Sequence, residues 1–146
     1  RLGPALLSDS VCVLHADNFI SGSLKDLQCE FDSRPVSLWG SMLVFESSRP
    51  SECGVVAING KGVMTDFFEK IPNPPSSLAS AATFIFDRRV LDLVSKLPDS
   101  AVDISHDLMP SLRFRMKVVR HEAAIVDIGT LEGLKQAKIL GRAELA

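Results

Sequence analysis

Two aspartates stand where short apolar runs end abruptly: Asp17 in L-H-A-D-N-F (14–19) and Asp127 in V-D-I-G-T (126–130). In open α/β sheets, ligands bind beyond the carboxyl ends of strands, so an acid just past such a run is a site candidate. Two carboxylates meeting in a cleft suit Mg²⁺, a hard cation that takes oxygen ligands and phosphate partners. They lie more than a hundred residues apart, and spacing alone does not bring them together. Taken singly, each also reads as an ordinary loop or capping acid. Glu69-Lys70 follows Phe67-Phe68 and precedes a proline loop. A lysine there could neutralise a phosphate and a glutamate could accept hydrogen bonds from hydroxyls, but the two also fit a plain surface pair. His15, His106 and His121 have no metal-ligand spacing. Neither a nucleophile elbow nor a phosphate-binding glycine loop is present.

The elements that must carry these residues alternate in type. Ser10 to Leu14 is a short apolar, partly β-branched run that predicts a strand buried on both faces, as in a parallel sheet. Ser23 to Phe31 predicts a helix, capped by Ser23, with Leu24, Leu27 and Phe31 on one face. Further strands are expected over 41–47, 54–58, 63–69, 82–86, 116–120 and 125–128. Asn59-Gly60 predicts a two-residue type I′ hairpin turn between the second and third of these. Helices are expected over 88–97, over 103–112 with Asp103 or Ser105 as cap, and from Leu131 to about Leu140 behind Thr130. The pattern predicts one α/β domain over 1–146: a layered, Rossmann-like fold with a mixed, mostly parallel sheet flanked by helices.

Composition bounds the function classes. The 146 residues are 46% hydrophobic and 23% charged, which supplies a core and excludes disorder. The net charge of -2 with scattered cations gives no basic stripe for nucleic acid, and no apolar run is long enough to span a membrane. Residues 1–7 carry no signal-peptide pattern, and Cys12, Cys29 and Cys53 are an odd count without C-x-x-C spacing. The cysteine usage points to the cytoplasm.

In order along the chain, the motifs resemble those of the sugar-1-phosphate nucleotidyltransferases, in the branch of mannose- and heptose-1-phosphate guanylyltransferases and glucose-1-phosphate thymidylyltransferases. V-L-H-A-D-N-F (13–19) is similar to that family's strand ending in G-D-N. C-G-V-V-A-I-N-G-K-G-V-M-T-D-F-F-E-K-I-P (53–72) is similar to its Y-G-V-V segment closing on F-x-E-K-P. S-L-A-S-A-A-T-F-I-F-D (77–87) resembles N-L-A-N-A-G-I-Y-V-F-D. D-I-S-H-D-L-M-P-S-L (103–112) resembles D-I-E-x-D-x-x-P-x-L, and I-V-D-I-G-T-L-E-G-L-K-Q-A (125–137) the closing W-x-D-I-G-T-P-E-D-Y-x-x-A.

The resemblance implies roles. Asp17 and Asp127 match two Mg²⁺-binding aspartates, Lys70 the lysine on the sugar phosphate, and Glu69 the glutamate on sugar hydroxyls. Gly54 matches a glycine whose backbone lies against the sugar, and Ser80 stands where the family has a sugar-contacting asparagine. The implied reaction joins a nucleoside triphosphate and a sugar 1-phosphate into a nucleotide sugar, releasing pyrophosphate, in a chain compatible with a homo-oligomer. The family's glycine-rich G-G-x-G-T-R-L loop is absent. The sequence is therefore expected to be the C-terminal two-thirds of the catalytic domain and inactive alone. Ala82 replaces a family glycine, Cys53 a tyrosine, Ala16 a glycine and Ile125 an aromatic. A binding-only, regulatory relative is the competing expectation. A glycosyltransferase would carry the D-x-D motif that this sequence lacks.

Overall fold

The computed structural model describes residues 9–144. Strands β1 (Ser10–Leu14), β2 (Asn18–Ile20), β3 (Gly40–Glu46), β4 (Gly54–Ile58), β5 (Met64–Glu69), β6 (Leu78–Asp87), β7 (Met116–Arg120) and β8 (Ile125–Asp127) are joined by helices α1 (Lys25–Asp32), α2 (Arg88–Val94) and α3 (Leu131–Glu144). Six strands form one sheet in the order β5-β4-β6-β3-β7, with β1 also on β6; β2 and β8 make a separate two-stranded ribbon.

The sheet is mixed, but not mostly parallel as the sequence pattern suggested. Among the described pairings only β3–β7 is parallel; β1–β6, β3–β6, β4–β5, β4–β6 and β2–β8 are antiparallel. The reason is β6, ten residues long, which runs against every strand it touches. β3 takes one of its edges, while β1 and β4 share the other. β1 is also not buried on both faces: Cys12 and Leu14 are exposed.

Side chains alternate across β3 and feed two cores. Met42 and Val44 join Val56, Met64, Phe84, Phe86, Val90, Met109 and Met116 on one face; Leu43 joins Leu27, Phe31, Ala81, Ile85 and Val119 on the other. α1 seals the second face with Leu27 and Phe31, and the Ser23 hydroxyl accepts the Lys25 amide at its start. The 103–112 segment is not one α-helix. A wide π turn (Ile104–Leu108) gives way to a tight 3₁₀ turn (Met109–Leu112), because Pro110 lacks the N–H an α-ladder needs and its ring crowds the preceding turn. Asp103 caps it, accepting the His106 amide.

The β4–β5 hairpin also departs from the two-residue turn. Gly62, not Asn59 or Gly60, takes the left-handed conformation, with φ +68. The Gly62 amide donates to the Asn59 carbonyl, and the Asn59 side chain accepts from the amides of Lys61 and Val63. Asparagine's side chain thus builds a longer loop instead of adopting positive φ itself.

Asp87 ties the far end of the sheet. Arg89 donates to both its oxygens at 2.9 Å, Arg34 adds a bond of 2.6 Å, and Asp87 caps α2 through the Arg89 amide. The Arg89 guanidinium holds its carboxyl well below the ordinary aspartate range. A carboxyl whose pKa is lowered on folding stabilises above its unfolded value and loses that contribution as pH falls below about 4. Asp87→Asn is therefore expected to cost about 2 kcal/mol near neutral pH. Its unfolding free energy should also fall less steeply than the parent's between pH 4 and 2. Parallel acid profiles from urea melts would contradict this.

Candidate active site

The β2–β8 ribbon brings the two sequence-predicted aspartates together. Asn18 pairs with Asp127, Phe19 with Val126 and Ile20 with Ile125. One step along, the Ile128 amide donates to the Asp17 carbonyl at 2.7 Å. β2 is only three residues long and carries no alternation that a sequence could show, yet this pairing is what joins the chain's early and late segments. Asp17 is 62% exposed, with His15 Nδ1 3.6 Å from its Oδ1. Asp127 is exposed, and its Oδ1 accepts the Gly129 amide at 2.8 Å.

α3 sets Asp127 from behind. The Thr130 hydroxyl accepts the Gly133 amide, the cap expected from sequence. A Cβ on Gly133 would fall well inside contact distance of the Asp127 carbonyl oxygen, so the helix start lies directly on the aspartate's backbone. An isolated glycine inside a helix signals such close approach, and T-x-x-G is the trace it leaves in the sequence.

The second group of candidates lies further along β6, on the large sheet. Gly54 pairs with Glu69, whose carboxylate is 15% exposed and folded over the glycine: a Cβ on Gly54 would meet Glu69 Oε2 and the Phe67 ring at 2.6 Å. Lys70, exposed, holds its Nζ 3.7 Å from Glu69 Oε1, and its backbone has φ 49. Val55 pairs with Ala79, which sets Gly54 and Ser80 side by side one step along the same ladder. The Ser80 hydroxyl accepts the amide of Ala82.

Ala82 has φ 49 and marks a bulge, where the β3–β6 register shifts between Met42 and Val44. The family's glycine at this position fits a conformation that costs an L-residue about 1–2 kcal/mol. Ala82→Gly should hold stability within about 0.5 kcal/mol, since relieved strain offsets the lost methyl packing and the added chain freedom. Ala82→Val should lose about 2 kcal/mol despite valine's strand preference. A valine variant that melts no earlier than the parent would contradict the strain.

A cleft of about 1050 Å³ opens beside these residues, bordered by Asp127, Thr130, Gly133, Cys53, Leu78 and Arg120. Asp17, Gly54, Glu69, Lys70 and Ser80 do not line it, although Cys53 and Leu78 are close chain neighbours of Gly54 and Ser80. Arg120, unremarked in the sequence, bonds Glu46 at 2.8 Å on the cleft wall, and Ser77 donates to the same carboxylate. Among the described residues no cluster of three or more His, Cys, Asp or Glu side chains could hold a metal ion. Asp17 in the turn before β2 and Asp127 at the end of β8 are both exposed, a donor set that still fits Mg²⁺, which typically takes one or two carboxylates and fills its remaining places with water and phosphate oxygens.

This architecture is shared with a solved protein of Bacillus anthracis described as a glucose-1-phosphate thymidylyltransferase, in complex with sucrose. The TM-score is 0.78 at 23% identity, over 92% of this chain and 55% of that one. Residues 5–140 match the nucleotidyl transferase family, and the chain belongs to it. It is 31% identical to a valienol-1-phosphate guanylyltransferase of Streptomyces hygroscopicus subsp. limoneus over 94% of its own length. It is 26% identical to glucose-1-phosphate adenylyltransferase 1 of Vibrio parahaemolyticus over 88%. The chain spans 38% of the length of each of these relatives. No helix among the described residues is long and apolar enough to cross a membrane.

Proposed function

We propose that the protein containing this chain transfers a nucleotidyl group from a nucleoside triphosphate to a sugar 1-phosphate, with Mg²⁺, and that the chain supplies the later part of the catalytic domain. The observation that carries this reading is the pairing of Asn18 with Asp127, which, with the bond from the Ile128 amide to the Asp17 carbonyl, sets the backbones of two distant aspartates beside each other. Asp17 and Asp127 would hold Mg²⁺, which neutralises charge where the phosphates of the two substrates converge. Lys70 draws in the sugar phosphate, Glu69, held over Gly54, accepts hydrogen bonds from sugar hydroxyls, and the Gly54 backbone and Ser80 lie against the ring. A phosphate oxygen of the sugar 1-phosphate attacks the α-phosphorus, the bond to the β-phosphate breaks, and pyrophosphate leaves. Positioning and charge neutralisation supply most of the rate in such a reaction.

The guanylyltransferase among the relatives supports GTP as donor, and the sequence resemblance supports a hexose or heptose 1-phosphate, mannose 1-phosphate among them, as acceptor. Nucleoside triphosphates and sugar phosphates are cytoplasmic metabolites, which supports a cytoplasmic reaction. The test is pyrophosphate release by the full-length protein with Mg²⁺, run with GTP, dTTP, UTP, CTP and ATP against hexose, heptose and cyclitol 1-phosphates. Release with one pair names both substrates. Silence from folded protein across the panel would replace this reading with a relative that binds nucleotide sugar without turnover. The sugar-side replacements, Ser80 for the family's asparagine among them, favour that outcome.

A further inference from the structure

The turn that carries Asp17 has little strand structure of its own, so something must fix it. Three bonds do so, two of them to β6 and one within the turn. The His15 amide donates to the Ala82 carbonyl at 3.2 Å, the Asn18 amide to the His15 carbonyl at 3.4 Å, and the Asn18 side-chain Nδ2 to the Ala81 carbonyl at 3.0 Å. The bulge makes those carbonyls available, because it interrupts the β3–β6 register where they lie. Asn18 therefore touches three parts of the candidate site. It is the chain neighbour of Asp17, its backbone pairs with Asp127, and its amide grips the strained strand next to Ser80.

We infer that Asn18 is a positioning residue: its side-chain bond to Ala81 fixes where the Asp17 carboxylate stands against Asp127, and so how tightly a divalent cation is held. The inference rests on the proposed reading of the two aspartates. The geometry asks for a neutral donor at this position. Leucine has nearly the same shape and no N–H, so it would leave the Ala81 carbonyl to the Thr83 hydroxyl and free the turn. Glutamine keeps the amide on a longer arm. An outer partner that orients a metal ligand typically changes metal affinity 10- to 100-fold when removed.

The test is Mn²⁺ binding to the full-length protein, followed by the electron paramagnetic resonance signal of free Mn²⁺, with thermal unfolding measured on the same samples. The variants are Asn18→Leu, Asn18→Gln, Asp17→Asn and Asp127→Asn. The expected result is that Asn18→Leu binds Mn²⁺ about tenfold more weakly. Asn18→Gln should recover part of the loss, and both aspartate variants should lose at least as much as Asn18→Leu. A purely structural asparagine would lower the melting temperature and leave Mn²⁺ affinity unchanged. Parent-like affinity in both Asn18 variants, with binding lost in Asp17→Asn, would overturn the role of Asn18 and keep the aspartate pair. Unchanged affinity in Asp17→Asn and Asp127→Asn would overturn the aspartate pair and Asn18 together. If Asn18→Leu fails to fold, Asn18→Gln decides: parent-like affinity in it overturns the inference, and several-fold weaker binding supports it.

Discussion

Asp127→Asn in the full-length protein should cut pyrophosphate release about a thousandfold while leaving thermal unfolding unchanged. Asparagine keeps the side-chain oxygen that accepts the Gly129 amide, and the β2–β8 register depends on backbone bonds that the substitution does not touch. Only the negative charge is lost. A cation at reacting phosphates contributes several kcal/mol, and each 1.4 kcal/mol is roughly tenfold in rate, which sets the thousandfold scale. Steady-state kinetics beside a melting curve separate the outcomes. More than a tenth of parental turnover would remove Asp127 from the reaction. An equal fall in turnover and melting temperature would make the aspartate a structural residue.

The second large effect runs against helix propensity. Gly133→Ala should destabilise the protein by about 3 kcal/mol, whereas the same change in an ordinary helix interior gains about 1 kcal/mol. The difference is the Asp127 carbonyl, which a Cβ at position 133 would overlap, so either α3 or the aspartate must move. Gly141, on the same helix, supplies the control. A Cβ there would lie 3.7 Å from the Phe19 ring, an ordinary contact, and Gly141→Ala should be neutral or stabilising. Urea unfolding of both variants reads the contrast directly. Equal stability changes at the two positions would show that α3 does not rest on Asp127 in solution. Because Gly133 acts through Asp127, its alanine variant should also lower turnover.

Strand existence was largely legible in the sequence, because short β-branched runs bounded by polar residues have few alternatives: β1, β4 and β7 fall where the pattern put them. Strand direction was not legible. An apolar run such as S-V-C-V-L (10–14) looks the same whether its neighbour is parallel or antiparallel, and β6 decided the matter by running against everything beside it. The left-handed positions were hidden for a related reason. Lys70, Ala82 and Phe114 have positive φ without being glycine, so no residue type announced them. The site residues were legible as candidates but not as a group. The aspartates were readable as strand-end acids, but the three-residue strand that unites them carries too few residues to show a period. Gly54 needed the resemblance for its role, and the overhanging Glu69 carboxylate gives it a physical reason. Asn18 lay inside the D-N-F motif with no role to read from it, and Arg120 left no signal, since a single guanidinium has no spacing to read.

The β2–β8 ribbon also bears on how the protein acquires its competence. It joins residues more than a hundred positions apart through only three pairs, so its local bonding offers little to offset the closure of so long a loop. The large sheet must assemble first and hold the two segments near each other. Contacts between segments so distant in sequence are slow to form. Cation binding should therefore appear late in refolding, after the bulk of the sheet signal. A chain halted partway would carry much of the native secondary structure and no cation site.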